Sequence, residues 1–240
     1  MRRPLPEKVS QTEIVFKAEE LEAVLSAPPM DVPGFEPALV KTTKGDMVIR
    51  QAKKEEAPKL LEFIKKLLDV DHDFYDIVGA RVYAEILGWY RNRLKDPYML
   101  LGIIDGKLVA FADGRLMNKD INISLHTLAF ERGGRLGAAM YYAKCHYTFE
   151  TLGQKEYWAT YESYNGFKRW GIGMAQPSYP WPDVQHELGG AKVYYVTKEY
   201  WDTTIKKYLE DYTGYTLIRP VPEDLLKKAE NFEVPESPAV

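Results

Sequence analysis

The apolar positions of the chain fall into two rhythms. From Met47 the run "MVIRQA" reads as a short strand. Ala57, Leu60, Leu61, Ile64, Leu67 and Leu68 then recur at the spacing of one helix face, with Pro58 admitted in the first turn. A second helical period runs from about Phe74 to Leu94, carrying Val78, Val82, Ile86, Trp89 and Tyr90 roughly on one side. It stops ahead of Asp96-Pro97, because a proline disfavours helix in the residue before it. The rhythm then shortens to two. "YMLLGIIDGKLVAFADGRL" sets two β-rich runs on either side of Asp105-Gly106, a pair suited to a type I′ turn, whose central residues both take positive φ. A turn at Asn118-Lys119-Asp120 leads into "INISLHTLAF", where Ile121, Ile123 and Leu125 alternate with Asn122, Ser124 and His126.

A third helix carries Leu136, Ala139, Met140, Ala143 and Tyr147 on its apolar side and ends at Leu152-Gly153, a C-cap signal. "YWAT" (Tyr157–Thr160) is a strand, Phe167–Met174 a short glycine-containing helix, "QPSYPWPD" a proline-rich loop and Ala191–Thr197 a late strand. Two helical pieces follow, about Thr203–Tyr212 and Glu223–Asn231, before the frayed end "EVPESPAV". Residues 1–46 hold prolines at 4, 6, 28, 29, 33 and 37, one helix-like piece (Ala18–Ser26) and no strong strand. They are expected to form an N-terminal extension packing on a main domain, 47–200, with 201–240 as a C-terminal helical extension. The order β, α, α, three antiparallel strands, α, β, α, β predicts an α/β (α+β) fold, a mixed and mostly antiparallel sheet with helices on its faces. The crossover from Leu125 to Tyr157 should be right-handed and make its two strands parallel.

Composition narrows the function classes. A formal net charge of −3 gives no general attraction to nucleic acid or to an anionic membrane. Apolar runs fall well short of the ~20 residues of a bilayer span, and "MRRPLPEKVS" lacks the apolar core of a signal peptide. One cysteine, Cys145, permits no internal disulfide, and the four histidines (His72, His126, His146, His186) show no metal-ligand spacing. A cytoplasmic protein without a metal centre is expected.

The stretch "ERGGRLGAAMYYAK" (Glu131–Lys144) carries the chemistry. If a helix starts near Arg135–Gly137, its first amides have no internal partner and point outward with the positive end of the macrodipole. Glycines 133, 134 and 137 let the backbone turn and approach a ligand, while Arg132 and Arg135 add positive charge. Such a site fits pyrophosphate; the alternative is a strand–helix turn with solvated arginines. Neither a Walker A loop nor GxGxxG is present.

Within "RGGRLGAAM", Arg132, Gly133, Leu136, Gly137 and Met140 match the cofactor loop of the GCN5-related N-acetyltransferases, and with the element order the region Met47–Thr197 resembles that family. Arg135 stands where the family pattern has glycine. Asn165, in "ESYNGFKRWGIGM", echoes a family asparagine; the tyrosine expected seven residues later falls on Ile172, with Trp170 near that spot. The resemblance implies acetyl-CoA, or another acyl-CoA, in a V-shaped gap between the strand ending at Phe130 and the strand Tyr157–Tyr161. Backbone groups of Thr127, Leu128 and Ala129 would pair with the pantetheine arm. Amides of Gly133, Gly134, Arg135, Leu136, Gly137 and Ala138 would hold the pyrophosphate, with Asn165 nearby. The implied activity is direct acyl transfer to a primary amine, on a small molecule or a protein.

Proton-transfer candidates are His126, whose ordinary pKa near 6.5 suits a base, and Tyr164, placed to protonate the thiolate. The alternatives are a structural histidine and a packing tyrosine. Glu131 and Glu162 are either water-positioning carboxylates or solvated surface, and Cys145 is expected to be inert. The loop Pro177–Pro182 covers the acceptor side or packs on itself. The terminal extensions either cap the sheet or pair two chains as a homodimer. Arg135 and the missing tyrosine motivate an alternative, a domain of this family without turnover that binds acyl-CoA or a protein partner.

Overall fold

The computed structural model describes residues 33–179 and 192–238. Its strands are β1 (Ala38–Thr42), β2 (Gly45–Gln51), β3 (Pro97–Ile104), β4 (Lys107–Leu116), β5 (Ile121–Ala129), β6 (Glu156–Ala159), β7 (Ser178–Tyr179) and β8 (Val193–Thr197). The principal helices are α1 (Ala57–Ile64), α2 (Tyr75–Tyr90), α3 (Leu136–His146), α4 (Lys206–Thr213) and α5 (Glu223–Glu230). They cover one sheet of order β1-β2-β3-β4-β5-β6-β8-β7. Every pairing is antiparallel except β5 with β6, as the crossover expectation required.

The hairpin at Asp105-Gly106 has both central residues at positive φ, 46° and 75°. The remaining strands and helices fall close to their expected spans, except that β7 lies within the stretch expected to be a loop, and the termini differ from expectation. The sheet begins at Ala38, inside the segment expected to be an extension. β1 escapes a sequence reading because it is short, sits among prolines and gains its partners from β2 and, at Leu39, from distant Ile218. The helix-like piece Ala18–Ser26 lies outside the described residues. At the other end, Trp201, Ile205 and Leu209 are buried in one core and Ala229 and Phe232 in another, so residues 201–238 complete the domain.

Both sheet faces are covered. α1 and α2 bury Leu60, Phe63, Ile64, Val82 and Ile86 against Leu101, Phe111 and Leu128. On the other face α3 buries Met140, Ala143 and the following Tyr147 against Met47, Ile49, Leu100 and Ala110. All of β3 is therefore buried. The same coverage corrects the expected polar side of β5: Asn122, Ser124 and His126 are buried beside their apolar neighbours. Among the described residues no helix is long and apolar enough to cross a membrane.

Two irregularities position the site. β5 and β6 pair from Ile121↔Glu156 to Ser124↔Ala159 and then part, while β5 stays paired with β4 as far as Ala110↔Ala129. The strands splay, and the β6-facing edge of Leu125–Ala129 is left to line a gap. Opposite it, the β4–β5 register shifts between Ala112↔Thr127 and Gly114↔Ser124, so that Asp113 faces both Leu125 and His126. This bulge turns His126 and Asp113 toward each other.

Candidate active site

The gap between β5 and β6 opens into a cavity of about 110 Å³, walled by Ser124–Leu128, Thr160–Ser163, Val78, Tyr141 and Trp170. It continues into a wider cleft of about 410 Å³ along Ala129 and the loop Glu131–Gly137, with Asn165, Arg169 and Tyr212 opposite. Asp73, Tyr75, Thr127, Ser163, Gly166 and Trp170 line both, so one channel runs from the strand fork to the start of α3. Asp73 spans its mouth, accepting from the Tyr164 amide at 3.0 Å and from Asn165 Nδ2 at 3.1 Å.

At the α3 end Gly133, Gly134 and Arg135 take successive positive φ values of 88°, 63° and 52°. A β-carbon on Gly134 would lie 2.7 Å from Lys44 Cγ, so glycine there serves both the conformation and the close approach. Tyr215 Oη donates to the Gly134 carbonyl at 2.6 Å and fixes the loop. The first bond inside α3 runs from Ala139 N–H to the Arg135 carbonyl, leaving the amides of Leu136, Gly137 and Ala138 to point out of the helix end. The side chains of Leu136 and Ala138 are buried in the core, so only their backbone can serve a ligand. Gly137 keeps its face open: an added β-carbon would meet only Ala129 Cβ, at 3.9 Å.

Arg135 reproduces the glycine backbone while its side chain leaves the cradle. The guanidinium donates to the Tyr212 carbonyl and lies 4.9 Å from the Tyr212 ring centroid. Arg132 and Arg169 are exposed along the cleft.

The other end of the channel is a buried charged cluster. His126 Nδ1 lies 3.1 Å from Glu85 Oε2, and its Nε2 lies 3.5 Å from Glu162 Oε2. The His126 amide donates to Asp113 Oδ1 at 2.8 Å. Arg81 pairs with the other oxygen of Glu162. Lys144 reaches beneath the bulge from α3, and Nζ donates to the carbonyls of Asp113 and His126, both at 2.8 Å. Burial dominates the protonation. It lowers the His126 pKa to about 4 and the Lys144 pKa to about 8. Burial, reinforced by the Glu85 charge and a hydrogen bond to Glu85, pushes Asp113 well above the carboxylate range. At neutral pH, then, the imidazole is neutral and burial favours the protonated form of Asp113.

Sequence spacing gave no sign of a metal site, yet Glu85, Asp113 and His126 bring possible ligand atoms within 4.8 Å of one another.

Of the expected residues, His126, Thr127 and Leu128 line the inner cavity, and Ala129, Arg132–Gly137 and Asn165 the outer cleft. Tyr164 is not brought to the fork. It is 67 % exposed, because its amide is tied to Asp73 at the rim. Ile172 is 61 % exposed, whereas Trp170 lines the channel and stacks on Tyr141 with centroids 4.7 Å apart. The phenol on the inner wall is Tyr161, which donates to Gln176 Oε1 at 2.6 Å and whose pKa burial raises. Cys145 is buried and its pKa is pushed up to about 12, an inert thiol as expected. Of the loop Pro177–Pro182, residues 180–182 lie outside the described residues. Glu85, Asp113 and Lys144 escaped the sequence reading. Their signal was a charge set within an apolar pattern: Glu85 beside Ile86 on α2, Asp113 in "VAFADG" and Lys144 in "YYAKCHY".

No protein-family model matches the chain, and no curated protein sequence does. Solved structures do match. A protein from Bacillus halodurans described as uncharacterized superposes with a TM-score of 0.52 at 11 % identity, covering 76 % of this chain and 98 % of its own. A putative acetyltransferase from T. thermophilus gives 0.50 at 13 % identity, with the same two coverages. RimJ from Mycobacterium smegmatis, solved in complex with CoA-disulfide, gives 0.49 at 9 % identity, covering 74 % of this chain and 94 % of its own. The chain has the fold of the GCN5-related N-acetyltransferases.

Proposed function

We propose, taking that fold as premise, that the chain is an acyl-CoA-dependent N-acyltransferase moving an acetyl group to a primary amine by direct attack. The observation that carries this reading is the continuous channel from the buried His126–Glu162 pair to the open amides at the start of α3. Its two ends differ in chemistry as the two ends of the reaction do.

The residues present fit an acyl-CoA. The outward amides of Leu136–Ala138, the glycine turn and the cleft-side Arg132 and Arg169 favour pyrophosphate. The unpaired edge of Leu125–Ala129 offers backbone groups to an extended amide-bearing arm, as an added strand would. Bound there, acyl-CoA supplies an acyl group activated as a thioester. Trp170 and Tyr141 wall the fork and exclude water from it. A backbone amide on the β5 edge is the donor for charge developing on the carbonyl oxygen. Glu162 and His126 stand at the inner wall to take the amine's proton. Tyr161, kept neutral by burial, is the hydroxyl on that wall in place of Tyr164.

A second reading, acyl-CoA binding without turnover, is favoured by the exposure of Tyr164. One experiment separates the two. Acetyl-CoA well above its dissociation constant should stabilise the protein by about 2–4 kcal/mol in thermal unfolding, and an amine panel should then release free CoA. Stabilisation without release supports the second reading; no stabilisation by any CoA ester contradicts both.

A further inference from the structure

We propose that the inner cavity selects the acyl group by size, and that Trp170, stacked on Tyr141, is the stop that admits acetyl and turns away butyryl and longer chains. The inference rests on the acyltransferase reading and adds to it which acyl-CoA the site takes. Acyl-CoAs differ from one another in the acyl group alone. A site that chooses among them does so through the space that receives that group.

That space is small. An apolar cavity of about 150 Å³ takes the six carbons of benzene. The inner cavity, at about 110 Å³, takes about four heavy atoms by the same measure. An acetyl group brings a carbonyl carbon, its oxygen and a methyl carbon, and the attacking nitrogen completes the filling. A butyryl group adds two methylenes to a space already full.

The walls are fixed as well as close. Trp170 lines both the inner cavity and the outer cleft, so it stands at the passage between them, whereas Tyr141 lines the inner cavity alone. Their rings stack at 4.7 Å with planes 3° apart. Gln176, itself buried, locks the Tyr141 hydroxyl by donating from Nε2 at 3.0 Å and accepts from the Tyr161 hydroxyl on Oε1. The Tyr157 ring stands edge-on to Tyr141 at 5.8 Å, and Tyr212 stands edge-on to Trp170 at 6.3 Å. Gly171 shows how tightly the panel is backed: a β-carbon there would lie 3.0 Å from the Phe167 ring and 3.1 Å from the Tyr161 ring. Val78 and Leu125, both buried, add branched side chains to the wall. A longer chain would push these side chains off their rotamers in a densely packed surround. Turning the other way, it would lay methylenes against Ser124, His126 and Glu162 and strip water from polar groups.

The test is calorimetric titration of the full chain with acetyl-, butyryl- and hexanoyl-CoA, with free CoA as reference. Acetyl-CoA is expected to bind at least as tightly as free CoA. Butyryl-CoA should bind on the order of 10-fold or more weaker than acetyl-CoA, and hexanoyl-CoA weaker still. Comparable affinity for the three esters overturns the size limit and leaves the acyltransferase reading standing. Binding of neither free CoA nor any ester contradicts that reading itself. Trp170→Ala should bring butyryl-CoA to within about threefold of acetyl-CoA, while Trp170→Phe, which keeps a ring against Tyr141, should keep the wild-type order. An unchanged ratio in Trp170→Ala overturns the assignment to Trp170. The wild-type series tests the limit without any variant.

Discussion

His126 illustrates how burial converts an ordinary side chain into a reporter of the fold. Its pKa falls from 6.5 to about 4. Below 6.5 the unfolded chain therefore binds a proton that the folded chain refuses until about pH 4. Stability should fall as pH drops through that window, by up to ~3 kcal/mol from this residue. Urea midpoints at neutral and mildly acidic pH measure the slope, and His126→Gln should flatten it. Arg135 poses a different question, because it holds a left-handed backbone that costs a non-glycine residue about 1–2 kcal/mol. Arg135→Gly removes that cost and also the contacts with Tyr212, so thermal stability should change little. CoA affinity should stay within about twofold, since the guanidinium is already turned aside and only a screened surface charge is lost. By contrast, Arg132→Ala and Arg169→Ala should each weaken CoA binding by roughly 3- to 10-fold at low salt, with the effect fading as salt rises. Calorimetric titration at two ionic strengths measures both.

Among the elements, β4 and β5 do the most for the site, and their bulge rests on Gly114. A β-carbon there would lie 2.3 Å from Tyr98 Oη and 2.8 Å from the Ile123 carbonyl, and the Tyr98 hydroxyl is fixed by Asn122 Oδ1 at 3.0 Å. Gly114→Ala should destabilise by roughly 1–3 kcal/mol and depress turnover through His126, read by denaturant unfolding beside the assay. The hairpin, the helical periods and the crossover were legible in the sequence because local chemistry decides them. Asp105-Gly106 suits one turn, and Leu60, Ile64 and Leu67 need one face covered. The glycine loop was legible for the same reason, since Gly133 and Gly134 mark positive φ. β1 was not, because its strand exists only through β2 and the bridge from Leu39 to distant Ile218. Glu85, Asp113 and Lys144 were each visible as a misplaced charge, but their convergence was not: it depends on a helix, a bulge and a second helix meeting across the sheet. Tyr164 and Tyr161 are close in sequence, and tertiary ties decide which one faces the channel: Asp73 holds the Tyr164 amide at the rim, while Gln176 accepts from the Tyr161 hydroxyl inside.

Across the whole molecule, the chain's end closes the core that its first helices open. Phe232 is buried against the α1–α2 face, with Lys59 Nζ 4.5 Å from its ring centroid, and the Leu108 amide donates to the Glu233 carbonyl at 2.8 Å. Phe232→Ala should cost about 3–5 kcal/mol, a loss that thermal unfolding would register and that a loosely attached extension would not produce. That integrity matters for function, because α2 supplies Arg81 and Glu85 to the site and α4 supplies Tyr212 to the cleft. The most direct test of acyl transfer at this site follows CoA thiol release from acetyl-CoA against a panel of primary amines, in wild-type protein and in Glu162→Gln. Amine-dependent release that collapses in the variant, with acetyl-CoA affinity kept, is the predicted result. Release that is absent with every amine, or unaffected by the loss of Glu162, would contradict it.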